Sequence, residues 1–403
     1  MTTERIIFGT DGWRALLDNE INGESVRRVA QALADYTLKR SSSPSVAIGY
    51  DGRRDSRFFA EQFSSVLTAN GITVHLSGSV VPTPALSWFV HAHKLDVGVM
   101  VTASHNPPEY NGIKFKAAYG GPFTTEETLQ VEALLGKSPV RTASAPVPVS
   151  DMLGPYLRQL RSFVDLPRIA RSGISVAVDS MSGAGGELLG TLLREEGIQA
   201  RTIFGQPATD FSGRLPEPIE KNLLPLREFL QNGSFSLGVA TDGDADRLGV
   251  LMENGEWLSS QETIVLLADH IRNGKGIAGD LIKTSSVTGM LDAHFASSSC
   301  TVHDVQVGFK YICETMLRTD AAFGAEESGG YGYKGHIPER DGILSALLMM
   351  EMLALSGHRT LSGYVAAKRQ QFGRIWYDRI DHPYHGADRT ERLPALERNR
   401  PAS

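Results

Sequence analysis

The sequence predicts an α/β protein built from three successive βαβ-type units. Three observations carry this. Short apolar, β-branched runs recur at 45–50, 97–101, 174–179, 237–241, 281–284 and 321–324, several of them ending in turns of small and polar residues. Stretches with the helical period lie between them. The connections are short, which favours strands laid mostly parallel with helices crossing between them. At 403 residues the chain exceeds one core and divides into two to four domains.

Taken in order, residues 6–14 read as a short strand entering a Gly-rich turn that ends at Arg14. Val26, Val29, Ala30, Leu33 and Ala34 fall on one face of a helix over 25–39. A strand at 45–50, a turn through Asp51-Gly-Arg-Arg-Asp-Ser, a helix over 58–70 closed by Gly71 and a strand at 72–76 follow. Val81-Pro-Thr-Pro-Ala breaks the chain before a helix through Trp88 and His91, which leads to the strand 97–101. The second unit has a strand at 174–179, a small-residue turn, a helix over 187–197 and a strand at 237–241. The third has a helix over 261–272 and strands at 281–284 and 321–324. The Pro-, Ser- and Ala-rich stretch 137–150 is the first linker, and Glu253-Asn-Gly-Glu256 marks the second. The expected domains are therefore 1–145, 151–252 and 256–366. Beyond them, 372–381 reads as a strand, and 385–403 is polar, Arg-rich and without period.

Hydrophobic residues at 41% and charged residues at 21% describe an ordinary soluble chain. With a net charge of −6 and no block of Lys and Arg, nucleic acid is not an expected partner. Cys300 and Cys313 make no disulfide framework and fit a reducing compartment. No signal-peptide core and no apolar run of spanning length occur, so no membrane partner is expected and the expected location is cytoplasmic.

Two loops carry the chemistry. The strand 97–101 ends in Thr102-Ala-Ser-His-Asn-Pro-Pro, where two prolines stop the strand and forbid helix just before them. Ser104 is thereby held at a strand's carboxyl end, where open α/β sheets place ligands. With His105, Asn106 and Lys114 beside it, its hydroxyl is a candidate nucleophile or phosphoryl carrier. The strand 237–241 ends in Asp242-Gly-Asp-Ala-Asp-Arg247. Three carboxylates crowded on one loop repel one another, and a divalent cation removes that penalty. Oxygen ligands select Mg²⁺ or Ca²⁺. An EF-hand is the competing motif, with Glu253 at loop position twelve, but Arg247 stands where its sixth position requires Gly. Positions left open by the trio suit Mg²⁺ shared with phosphate, and Arg247 adds a donor fork for it. Gly324-Ala-Glu-Glu-Ser-Gly-Gly330 follows a third strand, where Glu326 and Ser328 match sugar hydroxyls; a capping box or turn explains it equally well alone. Val307-Gly-Phe-Lys310 and Arg340-Asp-Gly342 read as plain loops. Together the loops fit phosphoryl transfer.

On Phe8-Gly-Thr-Asp-Gly-Trp-Arg14, Thr-Ala-Ser-His-Asn-Pro and Asp-Gly-Asp-Ala-Asp-Arg, the chain resembles the α-D-phosphohexomutase superfamily, in particular bacterial phosphoglucomutase/phosphomannomutase proteins. The likeness runs to about Asp381. The resemblance implies three tandem mixed-sheet α/β domains around a central cleft, with 367–403 a remnant of a fourth. It implies that Ser104 is a phosphoserine and that Mg²⁺ is held by Ser104, Asp242, Asp244 and Asp246. Arg14, Arg247 and Lys114 would surround the transferring group, Lys114 as candidate acid/base and His105 as proton shuttle. Glu326 and Ser328 would hold sugar hydroxyls, with Lys310 near the substrate. The implied reaction interconverts the 1- and 6-phosphates of glucose or mannose through a hexose 1,6-bisphosphate. A sugar-phosphate phosphatase and a sugar-phosphate-binding protein without turnover are the alternatives.

Two departures accompany the resemblance. Gly330 stands where many relatives carry His, and His336 is the candidate replacement. No Arg-Pro-Ser-Gly-Thr-Glu-Pro type phosphate clamp occurs, so a weakened affinity for substrate is expected.

Overall fold

The computed structural model describes residues 6–9, 11–144 and 147–380. It contains three mixed sheets, one in each α/β unit. The first has the strand order Trp13–Leu16, Tyr110–Ala117, Val97–Val101, Ser45–Tyr50, Thr73–Ser77, Val149–Ser150. The second runs Trp257–Leu258, Leu248–Met252, Leu237–Thr241, Ser175–Asp179, Gln199–Ile203. The third runs Val302–Val305, Asp280–Thr284, Ala321–Ala325, Tyr331–Tyr333.

One device recurs in all three. A buried strand paired in parallel with the sheet interior, Val97–Val101, Leu237–Thr241 or Ala321–Ala325, is followed at once by an antiparallel return strand. The return strands are Tyr110–Ala117, Leu248–Met252 and Tyr331–Tyr333. The turns between them hold Ser104, the Asp trio, and Glu326 with Ser328. The chemistry-bearing segments thus occupy one topological position in each unit, at the carboxyl end of a central strand.

Two expected strands differ. Ile6–Gly9 lie outside any sheet, Gly9 bridging only Gly12, and the first strand is Trp13–Leu16. The apolar side chains that suggested a strand, Ile6 and Phe8, are buried in the first core without backbone pairing. In the second case, the helix Leu361–Phe372 ends at Gly373 and residues 373–380 form no regular element. The described residues offer that segment no open sheet edge, and Trp376 and Ile380 are exposed. The rest of the 367–403 stretch, from 381 on, lies outside the described residues.

The helix Gly342–Ser356 is apolar almost all round and buried over its length to Ala354. It packs on the helices Leu166–Ser172 and Ser260–Asp269 and on strands of the second sheet, tying the second and third units into one core. Its charged exception, Glu351, accepts from His270 Nε2 at 2.8 Å, from Lys275 Nζ at 2.9 Å and from the Asp165 N–H at 2.7 Å. No helix among the described residues is long and apolar enough to cross a membrane.

Candidate active site

Ser104 is fully buried with φ +56°, a left-handed conformation that a non-glycine residue adopts only when its surroundings enforce it. Both of its peptide groups are held. Its N–H donates to Thr102 Oγ1 at 2.8 Å, and that hydroxyl donates to Asp51 Oδ2 at 2.6 Å. Its carbonyl accepts from Arg53 Nη2 at 2.6 Å. The same guanidinium donates to the carbonyls of Asn106, Pro107 and Tyr110 and pairs with Asp51 at 3.2 Å. Arg53 therefore fixes the whole loop, a part that sequence reasoning passed over. Its signal was the alternating charge of Asp51-Gly-Arg-Arg-Asp at a strand's carboxyl end. Arg53→Met leaves Asp51 buried without its cation, and an expected loss of about 3–5 kcal/mol in stability is measurable by urea unfolding.

The Ser104 hydroxyl donates to Asp242 Oδ2 at 3.0 Å across the junction of the first and second units, with His105 Nδ1 at 3.4 Å. The approach is so close that a side chain at Gly243 would meet the Ser104 carbonyl oxygen at 2.3 Å, so only glycine fits between the loops. Burial holds the His105 imidazole well below its usual value, assisted by Arg247 and Arg14, so it is neutral. Arg14 donates to Asn106 Oδ1 at 3.1 Å and faces Asp11 at 3.9 Å.

Asp242, Asp244 and Asp246 are all fully buried, and each offers an oxygen within 4.8 Å of the others. Their remaining oxygens are taken. Asp242 Oδ1 accepts the N–H groups of Asp246 and Arg247. Asp244 Oδ2 accepts from Lys114 Nζ at 2.8 Å and from Thr83 Oγ1 at 2.6 Å. Asp246 Oδ2 faces Lys114 at 3.2 Å and Arg340 at 2.8 Å. Asp244 Oδ1 and Asp246 Oδ1 are buried with no protein partner. Orphaned carboxylate oxygens this close together are costly unless a cation takes them, and an all-oxygen donor set fits Mg²⁺.

Charge is distributed unevenly over the trio. Burial, then Asp246 and Asp244, raises the Asp242 carboxyl well above the ordinary range. Burial would also raise Asp244, but Lys114, Thr83 and Arg340 outweigh it and hold it below that range. Lys114 lies fully buried on the first return strand; burial alone would lower it, yet Asp11, Asp244 and Asp246 raise it and keep it a cation.

Arg340 is the hub that sequence reasoning left as loop. Its Nη2 meets Asp11 Oδ2 at 2.6 Å and Asp246 Oδ2 at 2.8 Å, and its Nη1 meets Glu326 Oε2 at 3.4 Å, one contact to each unit's loop. It also fills the space beside Gly330, where an added Cβ would lie 2.3 Å from Arg340 Cδ. A residue with a side chain at 330 and Arg340 in this position exclude each other, which accounts for the missing histidine. His336 does not take its place: it is buried against Trp88, rings 5.3 Å apart, with Nε2 on Asp341 at 2.9 Å.

Arg247 joins the second loop to the third through a bridge to Gly330, and its Nη1 lies 3.6 Å from Glu217. The Ser328 hydroxyl is buried without a protein partner. Lys310 stands apart, second in the helix Phe309–Arg318 with its ammonium over the Tyr311 ring. Burial pushes Glu326 up to about 7 from 4.5, against Arg340 and Arg247. A carboxyl raised on folding favours the folded state below 4.5, and that contribution is lost as pH rises to about 7. In Glu326→Gln, the fall in melting temperature across that pH window should therefore flatten.

Three α/β units that bring a serine hydroxyl, a carboxylate trio and a guanidinium to one point form a site suited to moving phosphoryl groups. Sequence models of phosphoglucomutase/phosphomannomutase α/β/α domains I, II and III match residues 5–140, 154–255 and 259–372. The chain is 32% identical over 359 residues to a Thermococcus kodakarensis phosphoglucomutase/phosphomannomutase, covering 88% of this chain and 78% of that one. It is 29% identical over 366 residues to a Wolinella succinogenes phosphoglucosamine mutase, covering 88% and 80%. A solved Thermus thermophilus structure assigned to phosphomannomutase is 37% identical with a TM-score of 0.89, covering 95% of this chain and 88% of that one. The chain belongs to the phosphoglucomutase/phosphomannomutase family.

Proposed function

We propose that the protein is an Mg²⁺-dependent phosphohexomutase that interconverts hexose 1-phosphate and hexose 6-phosphate, with glucose or mannose as the hexose. The observation that carries this is the Ser104 Oγ to Asp242 Oδ2 contact of 3.0 Å, which joins the hydroxyl to the acidic loop. Ser104 carries the phosphoryl group. In the first half-reaction a sugar hydroxyl oxygen attacks that phosphorus. A new O–P bond forms, the bond to Ser104 Oγ breaks, and the sugar hydroxyl loses its proton. The product, a hexose 1,6-bisphosphate, turns over in the cleft and returns its other phosphoryl group to Ser104, releasing a sugar hydroxyl. Lys114 and His105 are the groups placed to carry the proton, and Arg14 and Arg247 to face the transferring group. Mg²⁺ held by Asp242, Asp244, Asp246 and the Ser104 phosphate would offset charge on that group. Glu326 and the unpartnered Ser328 hydroxyl would hold sugar hydroxyls, with Lys310 farther along the substrate.

Relatives named for glucosamine phosphate make the amino sugar the competing substrate. Coupled assays with glucose 1-phosphate, mannose 1-phosphate and glucosamine 6-phosphate, each with Mg²⁺ and catalytic glucose 1,6-bisphosphate, test this. The largest kcat/KM is expected with glucose or mannose. A larger value with glucosamine 6-phosphate would reassign the substrate. Phosphate release without interconversion of any of the three would overturn the mutase reading.

A further inference from the structure

The proposed reaction leaves the Val81-Pro-Thr-Pro-Ala segment unused, yet its Thr83 reaches the acidic loop. Thr83 is fully buried and opens the helix Thr83–His93, between Pro82 at the N-cap and Pro84 in the first turn. The first N–H groups of a helix have no partner within it. Here the Thr83 N–H donates to the Asp244 carbonyl at 2.9 Å, while its hydroxyl donates to Asp244 Oδ2 at 2.6 Å. The second distance is that of a charge-assisted bond. Both bonds run from the first unit to the second, 161 residues away in sequence. The flanking prolines fix the backbone from which they start.

Each oxygen of the trio that faces away from its neighbours is committed to a partner, but the partners differ. Asp242 is held by its own loop's amides, and Asp246 by Lys114 and Arg340, both of which also serve Asp11. Asp244 shares Lys114 but has Thr83 to itself. With Oδ2 fixed by the hydroxyl, Oδ1 is the atom left buried and unpartnered. We infer that Thr83 is a positioning residue for the divalent cation: it sets the rotation of the Asp244 carboxylate and makes the cation site depend on docking of the first unit against the second. This rests on the reading that the trio holds a divalent cation.

Isothermal titration of the full chain with Mg²⁺, and Mn²⁺ titration followed by electron paramagnetic resonance, test it directly. Thr83→Val keeps the shape and removes the donor; it is expected to weaken cation binding roughly 10–100-fold, as for partners that orient metal ligands elsewhere. Thr83→Ser restores the donor and should bind close to wild type. Turnover of Thr83→Val should recover at high Mg²⁺ with the KM for sugar phosphate unchanged, which a general loss of packing would not produce. Thr83→Ala is the second variant and must also bind more weakly than Thr83→Ser. Wild-type affinity in Thr83→Val, or equal affinity in the alanine and serine variants, overturns the inference alone. A wild-type chain that binds neither cation overturns the reading of the trio itself.

Discussion

Ser104→Ala is expected to lower interconversion of the hexose phosphates by about 10³-fold or more, since the group that carries phosphate between half-reactions is gone. Intact mass supplies the second readout: incubation with hexose 1,6-bisphosphate should add one phosphate to the wild-type chain and none to the variant. The fold should be little changed. The loop is held by Arg53, Thr102 and Asp51 acting on peptide groups, and the one hydroxyl bond lost is that to Asp242. An alanine variant that keeps wild-type turnover would remove Ser104 as the carrier.

Asp242→Asn should act in opposite directions on stability and activity. The amide keeps an oxygen for the Asp246 and Arg247 N–H groups, so the loop can close as before. It removes a carboxylate whose charge is resisted by burial and by two acidic neighbours. Because that carboxyl is raised on folding, its ionisation costs stability as pH climbs above the ordinary carboxylate range. In the absence of metal at neutral pH the variant should melt higher than wild type. Added Mg²⁺ should raise the melting temperature of wild type and leave the variant nearly unchanged, and kcat should fall roughly 10²–10³-fold. A variant that melts lower without metal and still responds to Mg²⁺ would contradict the account of the trio.

The parts of this architecture that could be read in the sequence are those written in contiguous residues. Buried runs such as Val-Gly-Val-Met-Val and Leu-Gly-Val-Ala-Thr announce strands, and each ends in its motif within one or two residues. The return strand Tyr110–Ala117 was harder to see, because Lys114 and Lys116 look like surface residues in a linear reading. In the fold both are fully buried against carboxylates from distant units, Asp244 for one and Glu339 for the other. The helix Gly342–Ser356 escaped for the opposite reason: with nearly every face apolar it has no period to detect. Arg340 is the clearest case of information absent from any local window. Its partner Asp11 is 329 residues away, and nothing beside Arg340 in sequence tells it from a solvated loop charge. Thr83 and Arg53 share this property, since both act on loops that only folding brings to them.

The hydroxyl of Ser104 points at a carboxylate already crowded by two others. A phosphoryl group there brings close to two negative charges into a region closed to water. The esterified chain and the divalent ion are consequently obliged to stabilise one another, each raising the other's occupancy by the same factor. Chelation should therefore loosen the phosphorylated protein more than the free one, and the modified serine should lose its phosphate sooner when the ion is withdrawn.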